Sequence, residues 1–180
     1  MATDRHRLFF AFFPPPGVRV ALAELQRRLD ANARAVPPSQ FHVTLAFLGS
    51  VRRHEVSRLG ALAAHVPFET VTLRLDRLGW FPRVGVGWVG ASEPPAALGA
   101  FRGAFHEALR GAGFRSDSRA WRPHVTLYRK MRTPFEKLRM NPIDWPVESF
   151  ALVDSETRPE GARYRVLERW NQRLQRISDE

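Results

Sequence analysis

Apolar and polar positions alternate with two periods along this chain, and the period changes mark its elements. Arg7–Phe13 is apolar almost throughout and predicts a central first strand, which Pro14-Pro15-Pro16-Gly17 ends. From Val18 to Leu29 the apolar residues Val18, Leu22, Leu25 and Leu29 recur at helical spacing, with Glu24, Arg27 and Arg28 on the other face. Ala33–Gln40 predicts a loop carrying Pro37-Pro38, and the strand after it ends near Gly49. Glu55–His65 predicts a second helix, with Val56, Leu59 and Leu62 inward. Thr70–Leu75 alternates as a strand, Trp80-Phe81-Pro82 makes a turn or short strand, and Val84–Val89 forms a strand thinned by Gly85 and Gly87. Pro94-Pro95 opens a helix striped by Leu98, Phe101, Phe105 and Leu109 and stopped by Gly111 and Gly113. Arg119–Pro123 leads into a further strand, and Thr133–Met140 predicts a short helix. Pro146–Ser155 and Arg163–Trp170 read as closing strands around a turn at Pro159-Glu160-Gly161, followed by a frayed tail after Asn171. This order suits an α+β arrangement with mixed or mainly antiparallel sheets.

Two of the strands carry the same string: His42-Val43-Thr44-Leu45 and His124-Val125-Thr126-Leu127. We read this as an internal duplication producing two related lobes within one domain of 180 residues, each donating one histidine to a shared cleft. Side chains alternate along a strand, so His42 and Thr44 share one face, as do His124 and Thr126. The aliphatic residues of both copies turn to the core.

Composition narrows the chemistry. The chain has no cysteine, which removes disulfides, thiol nucleophiles and cysteine-bound zinc. No apolar run reaches the length of a membrane span, and Leu8–Pro16 is too short and proline-broken for a signal peptide, so a cytoplasmic protein is expected. The net charge is +10 and almost wholly arginine, since Lys130 and Lys137 are the only lysines. A basic surface favours polyanions such as nucleic acid, although genome composition can give the same bias.

Two imidazoles facing one cleft supply a general acid and a general base near neutral pH. Displacement at phosphorus, where one oxygen enters as another leaves in line, suits such a pair. Thr44 and Thr126 can donate hydrogen bonds to non-bridging phosphate oxygens, and Arg129 can add a bidentate cation. Arg122 and Lys130, beside the second motif, extend a phosphate-lined entry, or are solvated strand ends. Phe47 is a further candidate RNA contact. A metal would need a third ligand, yet threonine stands where an acidic ligand would be expected. No Gly-x-Ser-x-Gly context supports a serine nucleophile. His6, His54, His65 and His106 show no partner pattern and read as surface or helix-side residues. Because the two motifs are identical, the sequence does not say which histidine is the acid.

The paired His-x-Thr motifs resemble those of the 2H phosphoesterase superfamily. More narrowly, the chain is similar to the bacterial and archaeal RNA 2',3'-cyclic phosphodiesterases, also called 2'-5' RNA ligase-like proteins. The resemblance runs from Arg7-Leu8-Phe9-Phe10-Ala11 and Pro14-Pro15, through His42–Gly49 and Arg122–Arg129, to Gly161-Ala162-Arg163-Tyr164, Leu167 and Trp170. Tyr128 departs from the small or aliphatic residue common at its position. The resemblance implies a two-lobed α+β fold, with antiparallel sheets around a V-shaped cleft and helices outside. It implies hydrolysis of a terminal 2',3'-cyclic phosphate to a 2'-phosphomonoester, without metal, ATP or other cofactor, with His42 as proton donor and His124 as proton acceptor. The implied partners are RNA carrying that end, tRNA halves among them, or nucleoside 2',3'-cyclic phosphates, bound by a monomer. Reversal would join RNA ends through a 2'-5' bond. Two rival readings stay open: a binding module that holds an RNA end without turnover, and an enzyme of the same chemistry acting on another cyclic or 2'-5'-linked nucleotide.

Overall fold

The computed structural model describes residues 4–116, 120–136, 139–158 and 161–171. In chain order its elements are β1 (Arg5–Phe12), α1 (Pro16–Leu29), β2 (Arg34–Ala35), β3 (Val43–Arg52), α2 (Val56–His65), β4 (Val71–Leu75) and β5 (Arg77–Phe81), followed by β6 (Val86–Gly90), α3 (Ala96–Gly111), β7 (His124–Arg129), β8 (Ile143–Val147), β9 (Ser149–Arg158) and β10 (Gly161–Asn171). The expected α+β class with antiparallel sheets is what forms. One open sheet runs β10-β9-β1-β3-β7-β6-β5, with β2 also on β7, and β4 and β8 pair apart from it. Every pairing is antiparallel.

The two His-bearing strands meet in the middle of this sheet through a single register pair, Val43 opposite Val125. These are the same position of the duplicated string. A pseudo-twofold axis therefore passes between them. It relates β1-α1-β3 to β6-α3-β7, β4 to its partner β8, and β5 to β9. The wings that result are exchanged between the halves of the chain. β5 from the first half pairs with β6, while β9 from the second half pairs with β1.

The duplication extends to an irregularity. Going along β1, Phe10 pairs with Ala46 but Ala11 with Thr44, which leaves Leu45 as an extra residue in β3. On the other side Gly87 pairs with Tyr128 and Trp88 with Thr126, which leaves Leu127 extra in β7. Each motif thus ends in a β-bulge at its leucine. A bulge adds one residue and so reverses the alternation of side chains beyond it. Ala46 and Tyr128 turn into the core, and Phe47 and Arg129 stand exposed, as His42, Thr44, His124 and Thr126 stand half-exposed.

The helices cover the face of Val43, Leu45, Val125 and Leu127, each through its apolar stripe. Phe10, Phe105, Phe150 and Trp170 pack there edge-to-face, tilted or stacked at centroid distances of 4.7–6.4 Å. A smaller cluster of Phe9, Ala11, Ala151 and Val153 lies on the opposite face, packed by Phe13 and Tyr164.

Several expected boundaries change. Pro146–Ser155 is not one strand but parts of β8 and β9, which belong to different sheets and join around Glu148. No helix forms in the described part of Thr133–Met140: Phe135 packs against Gly87 and Tyr128, holding the segment as a loop, and Lys137 and Leu138 lie outside the described residues. Trp80-Phe81 belongs to β5, and Val84 and Gly85 to the turn that closes β5 onto β6, with Gly85 at φ 61°. The Ala33–Gln40 loop contains β2 and a turn of 3-10 helix at Pro38–Gln40. Arg119, Pro159, Glu160 and the tail after Asn171 lie outside the described residues. Among the described residues no helix is long and apolar enough to cross a membrane.

Candidate functional site

His42 and His124 sit where β3 and β7 part on either side of the Val43–Val125 contact. Their rings are fixed in the same way. Nδ1 of His42 lies 2.7 Å from the carbonyl oxygen of Gln40, and Nδ1 of His124 lies 2.7 Å from that of Arg122. A carbonyl only accepts, so Nδ1 carries the proton and donates, and Nε2 of each ring is left for a ligand. Aromatic walls flank the rings, edge-on from Tyr164 and Phe81 and tilted from Phe9 and Trp88. Phe9 and Tyr164 stand 5.2 and 5.3 Å from His42. Phe81 and Trp88 stand 5.2 and 5.8 Å from His124.

This setting disfavours charge on the imidazoles. Burial is the largest cause and pushes His42 down from 6.5 to about 4. The Arg129 guanidinium and the His124 ring push the same way, and the bond to Gln40 opposes them. His124 is also lowered, first by burial and then by Arg129, against the bond to Arg122. Arg129 thus acts on both rings from the face to which the Leu127 bulge turns it. In the free protein both imidazoles are neutral at pH 7.

Three cavities adjoin each other here. The largest, about 580 Å³, is walled by Thr44, Phe47, Phe81, Trp121, Arg122 and His124. A second, about 310 Å³, takes in Arg7, Phe9, His42, Thr44, Phe47, Arg129 and Tyr164. Thr44 and Phe47 are therefore common to the cavity holding His124 and the cavity holding His42. A third, about 530 Å³, shares Arg129 and Tyr164 with the second and adds Arg34, Gln40, Arg158 and Arg163. The track changes from apolar and aromatic beside His124 to strongly basic beyond His42.

Of the residues singled out in the sequence, His42, Thr44, Phe47, Arg122, His124 and Arg129 line this track, and His106 reaches the wall of the cavity holding His124. Thr126 shares the half-buried face of His124, opposite Trp88, but is not a wall of the three cavities. Lys130 is exposed where the chain leaves β7 at φ 61°, and it also lines none of them. Arg7, Tyr164 and the arginines of the basic cavity were missed as site residues, because they come from distant segments that only the sheet brings together, and Trp121 was missed although it shortly precedes His124 in the chain. Arg7 stacks on Phe47 with its guanidinium 5.1 Å from the ring. Trp121 donates from Nε1 to the Thr44 carbonyl at 3.0 Å, which fixes the backbone at that threonine.

Two histidines read as surface or helix-side residues without a partner do have partners. His106 is buried and its Nε2 donates to the Leu45 carbonyl at 3.1 Å. His6 lies 2.9 Å from the Asp154 carboxylate across β1 and β9. Among the described residues no three of His, Asp and Glu gather into a set that could hold a metal ion.

The family model of the 2'-5' RNA ligase superfamily matches residues 14–159. The RNA 2',3'-cyclic phosphodiesterase of Thermus thermophilus is 36% identical, covering 93% of this chain and 90% of its own. The Escherichia coli protein of the same name is 29% identical, covering 93% of this chain and 97% of its own. In structure, Escherichia coli LigT without ligand superposes with a TM-score of 0.81 at 28% identity, over 94% of this chain and 99% of that one. Its complex with 3'-AMP gives the same values.

Proposed function

From the premise that the chain belongs to the 2'-5' RNA ligase superfamily, we propose that it opens 2',3'-cyclic phosphates at RNA ends, leaving a 2'-phosphomonoester. One observation carries the reading. Two imidazoles, tethered alike through Nδ1, offer their Nε2 atoms beside a cation that acts on both. The relatives named above share that activity in their names.

In this mechanism the cyclic phosphate sits between the rings. His124 Nε2 takes a proton from water as the water oxygen bonds to phosphorus. The bond from phosphorus to O3' breaks on the far side, and His42 Nε2 delivers the proton that O3' needs. Charge grows on the non-bridging oxygens, where Thr44 and Thr126 hydroxyls and the Arg129 guanidinium stabilise it. Proton exchange with solvent then restores both rings. His42 is the more strongly suppressed base in the free protein, so its donor proton arrives with the substrate, whose negative charge favours the imidazolium. The terminal base occupies the aromatic cavity, with Phe47, Phe81 and Trp121 as stacking surfaces, and upstream phosphates follow Arg129 into the basic cavity. Run backwards, with an RNA 5'-hydroxyl replacing water, the same groups join ends through a 2'-5' bond.

The test is incubation with each nucleoside 2',3'-cyclic monophosphate, with products separated by chromatography against 2'- and 3'-phosphate standards. Nucleoside 2'-phosphate is the expected product. A 3'-phosphate product would reverse the leaving oxygen, and no product at enzyme excess would leave a binding module.

A further inference from the structure

The core of this protein contains two buried polar side chains among the described residues, Gln26 and His106. They occupy the same place in the duplicated unit. Gln26 lies ten residues into α1 from Pro16, and His106 lies ten residues into α3 from Ala96. Each reaches the carbonyl of a bulge leucine in the opposite half. Gln26 Nε2 donates to the Leu127 carbonyl at 2.7 Å and to the Val36 carbonyl at 3.0 Å. His106 Nε2 donates to the Leu45 carbonyl at 3.1 Å.

A bulge takes its extra residue out of regular pairing with one neighbour, so its buried carbonyl draws donors from elsewhere. The Leu127 carbonyl accepts from the Val36 backbone N–H at 2.9 Å as well as from Gln26, which ties the bulge to the β2 segment. In each half a side-chain donor to that carbonyl comes from a helix fixed by its own apolar stripe. Losing it would favour the unbulged register, in which alternation carries Phe47 and Arg129 to the core face. We propose that Gln26 and His106 are paired positioning residues. Each locks one bulge, so that Gln26 keeps Arg129, and His106 keeps Phe47, on the face of the histidines. Neither stands beside the Nε2 atoms of His42 and His124 as a proton carrier, although His106 also reaches the wall of the cavity holding His124. A glutamine in one half and a histidine in the other share the bond to the bulge carbonyl, which requires only a donor of that reach, and Gln26 adds a second bond to Val36. Tyr128 adds to the Gln26 lock, donating from its hydroxyl to the Gln26 carbonyl at 2.6 Å.

The inference rests on the phosphodiesterase reading for its kinetic arm and on the fold alone for its spectroscopic arm. In the full-length protein, Gln26→Leu and His106→Leu remove the donors, while Gln26→His and His106→Gln exchange them. Hydrolysis of a nucleoside 2',3'-cyclic monophosphate is followed across pH, and the His42 and His124 rings are titrated by NMR without substrate. Gln26→Leu is expected to lower kcat by about 10²-fold, the scale of a misplaced catalytic group. It should also raise both ring pKa values as Arg129 withdraws. His106→Leu is expected to raise KM through loss of the Phe47 surface and to leave the His124 titration in place. The exchange variants should recover most of what the leucine variants lose. If the leucine variants melt earlier but keep the wild-type pH profile, KM and titrations, the groups are only structural and the proposal is wrong. If those variants do not fold, the exchange variants decide, because a folded Gln26→His with disturbed titrations contradicts it equally. Failure of the wild type to turn over substrate overturns the phosphodiesterase reading, while the titrations still test the lock.

Discussion

Nδ1 of His42 and Nδ1 of His124 each lie 2.7 Å from the carbonyl oxygen two residues before the ring. Rings oriented by the same local bond need no carboxylate to hold them, and each keeps Nε2 for proton transfer. Replacing either with alanine should lower kcat by about 10²–10⁴-fold. The double variant should fall little further, because the two act as a unit. Steady-state rates on a cyclic monophosphate check this, and near-normal turnover by either single variant would remove it from the chemistry.

The pH dependence follows from burial and from Arg129. The reaction needs one ring protonated and one neutral. In the free protein His42 is near 4 and His124 is below its usual 6.5, so kcat/KM should peak on the acid side of 6.5 and decline through neutrality. Substrate charge should move the kcat profile upward. Arg129→Gln removes a cause common to both depressions, so both limbs of its kcat/KM profile should shift to higher pH, with a lower maximum. A variant profile superimposable on the wild type would contradict the coupling.

Stability against acid has a defined sign. In the unfolded chain His42 titrates near 6.5, and in the folded protein near 4. Between these values the unfolded state binds the extra proton. Stability is therefore full above 6.5 and falls as pH drops toward 4, by at most about 3 kcal/mol from this group. Denaturant melts of His42→Ala should show a shallower loss over that window, whatever its stability at neutral pH.

Gly90 is paired with His124, and a Cβ there would meet the Pro123 carbonyl oxygen at 2.7 Å. Gly90→Ala should thus push β6 away from β7 next to the ring. We expect about 1–3 kcal/mol of destabilisation, the range for an overpacked site. Turnover should also fall, beyond what thermal melting explains. Calorimetry and kcat measured well below the melting temperature separate the two effects.

Added chelator should leave turnover unchanged, since the described residues offer no three-ligand set of His, Asp and Glu. Loss of activity in EDTA, restored by a divalent cation, would overturn the mechanism.

The repeated His-Val-Thr-Leu string was legible because both copies lie at one symmetric contact, where each must bury Val and present His and Thr. Arg129 could be selected only by its closeness to the motif, since simple alternation assigns it to the wrong face. The bulges at Leu45 and Leu127 are invisible in a hydrophobic pattern, because a bulge residue and the next buried residue read as two core positions. Gln26 and His106 carried a signal that went unused. Val18, Leu25 and Leu29 match Leu98, Phe105 and Leu109 at a constant offset, and the glutamine and histidine follow Leu25 and Phe105. Pro146–Ser155 misled because Val147 and Phe150 are both buried, though in different sheets.

The exchange of β5 and β9 between wings also sets a timetable for synthesis. When the ribosome has made the first half, β1 and β3 are out, but the strand that flanks β1 is not. Leu8 waits for Asp154, and at ordinary elongation speeds that wait is on the order of ten seconds. Meanwhile the nascent chain holds a bare, phenylalanine-rich strand edge. Such an edge invites a chaperone, or a second nascent chain, before its own β9 emerges.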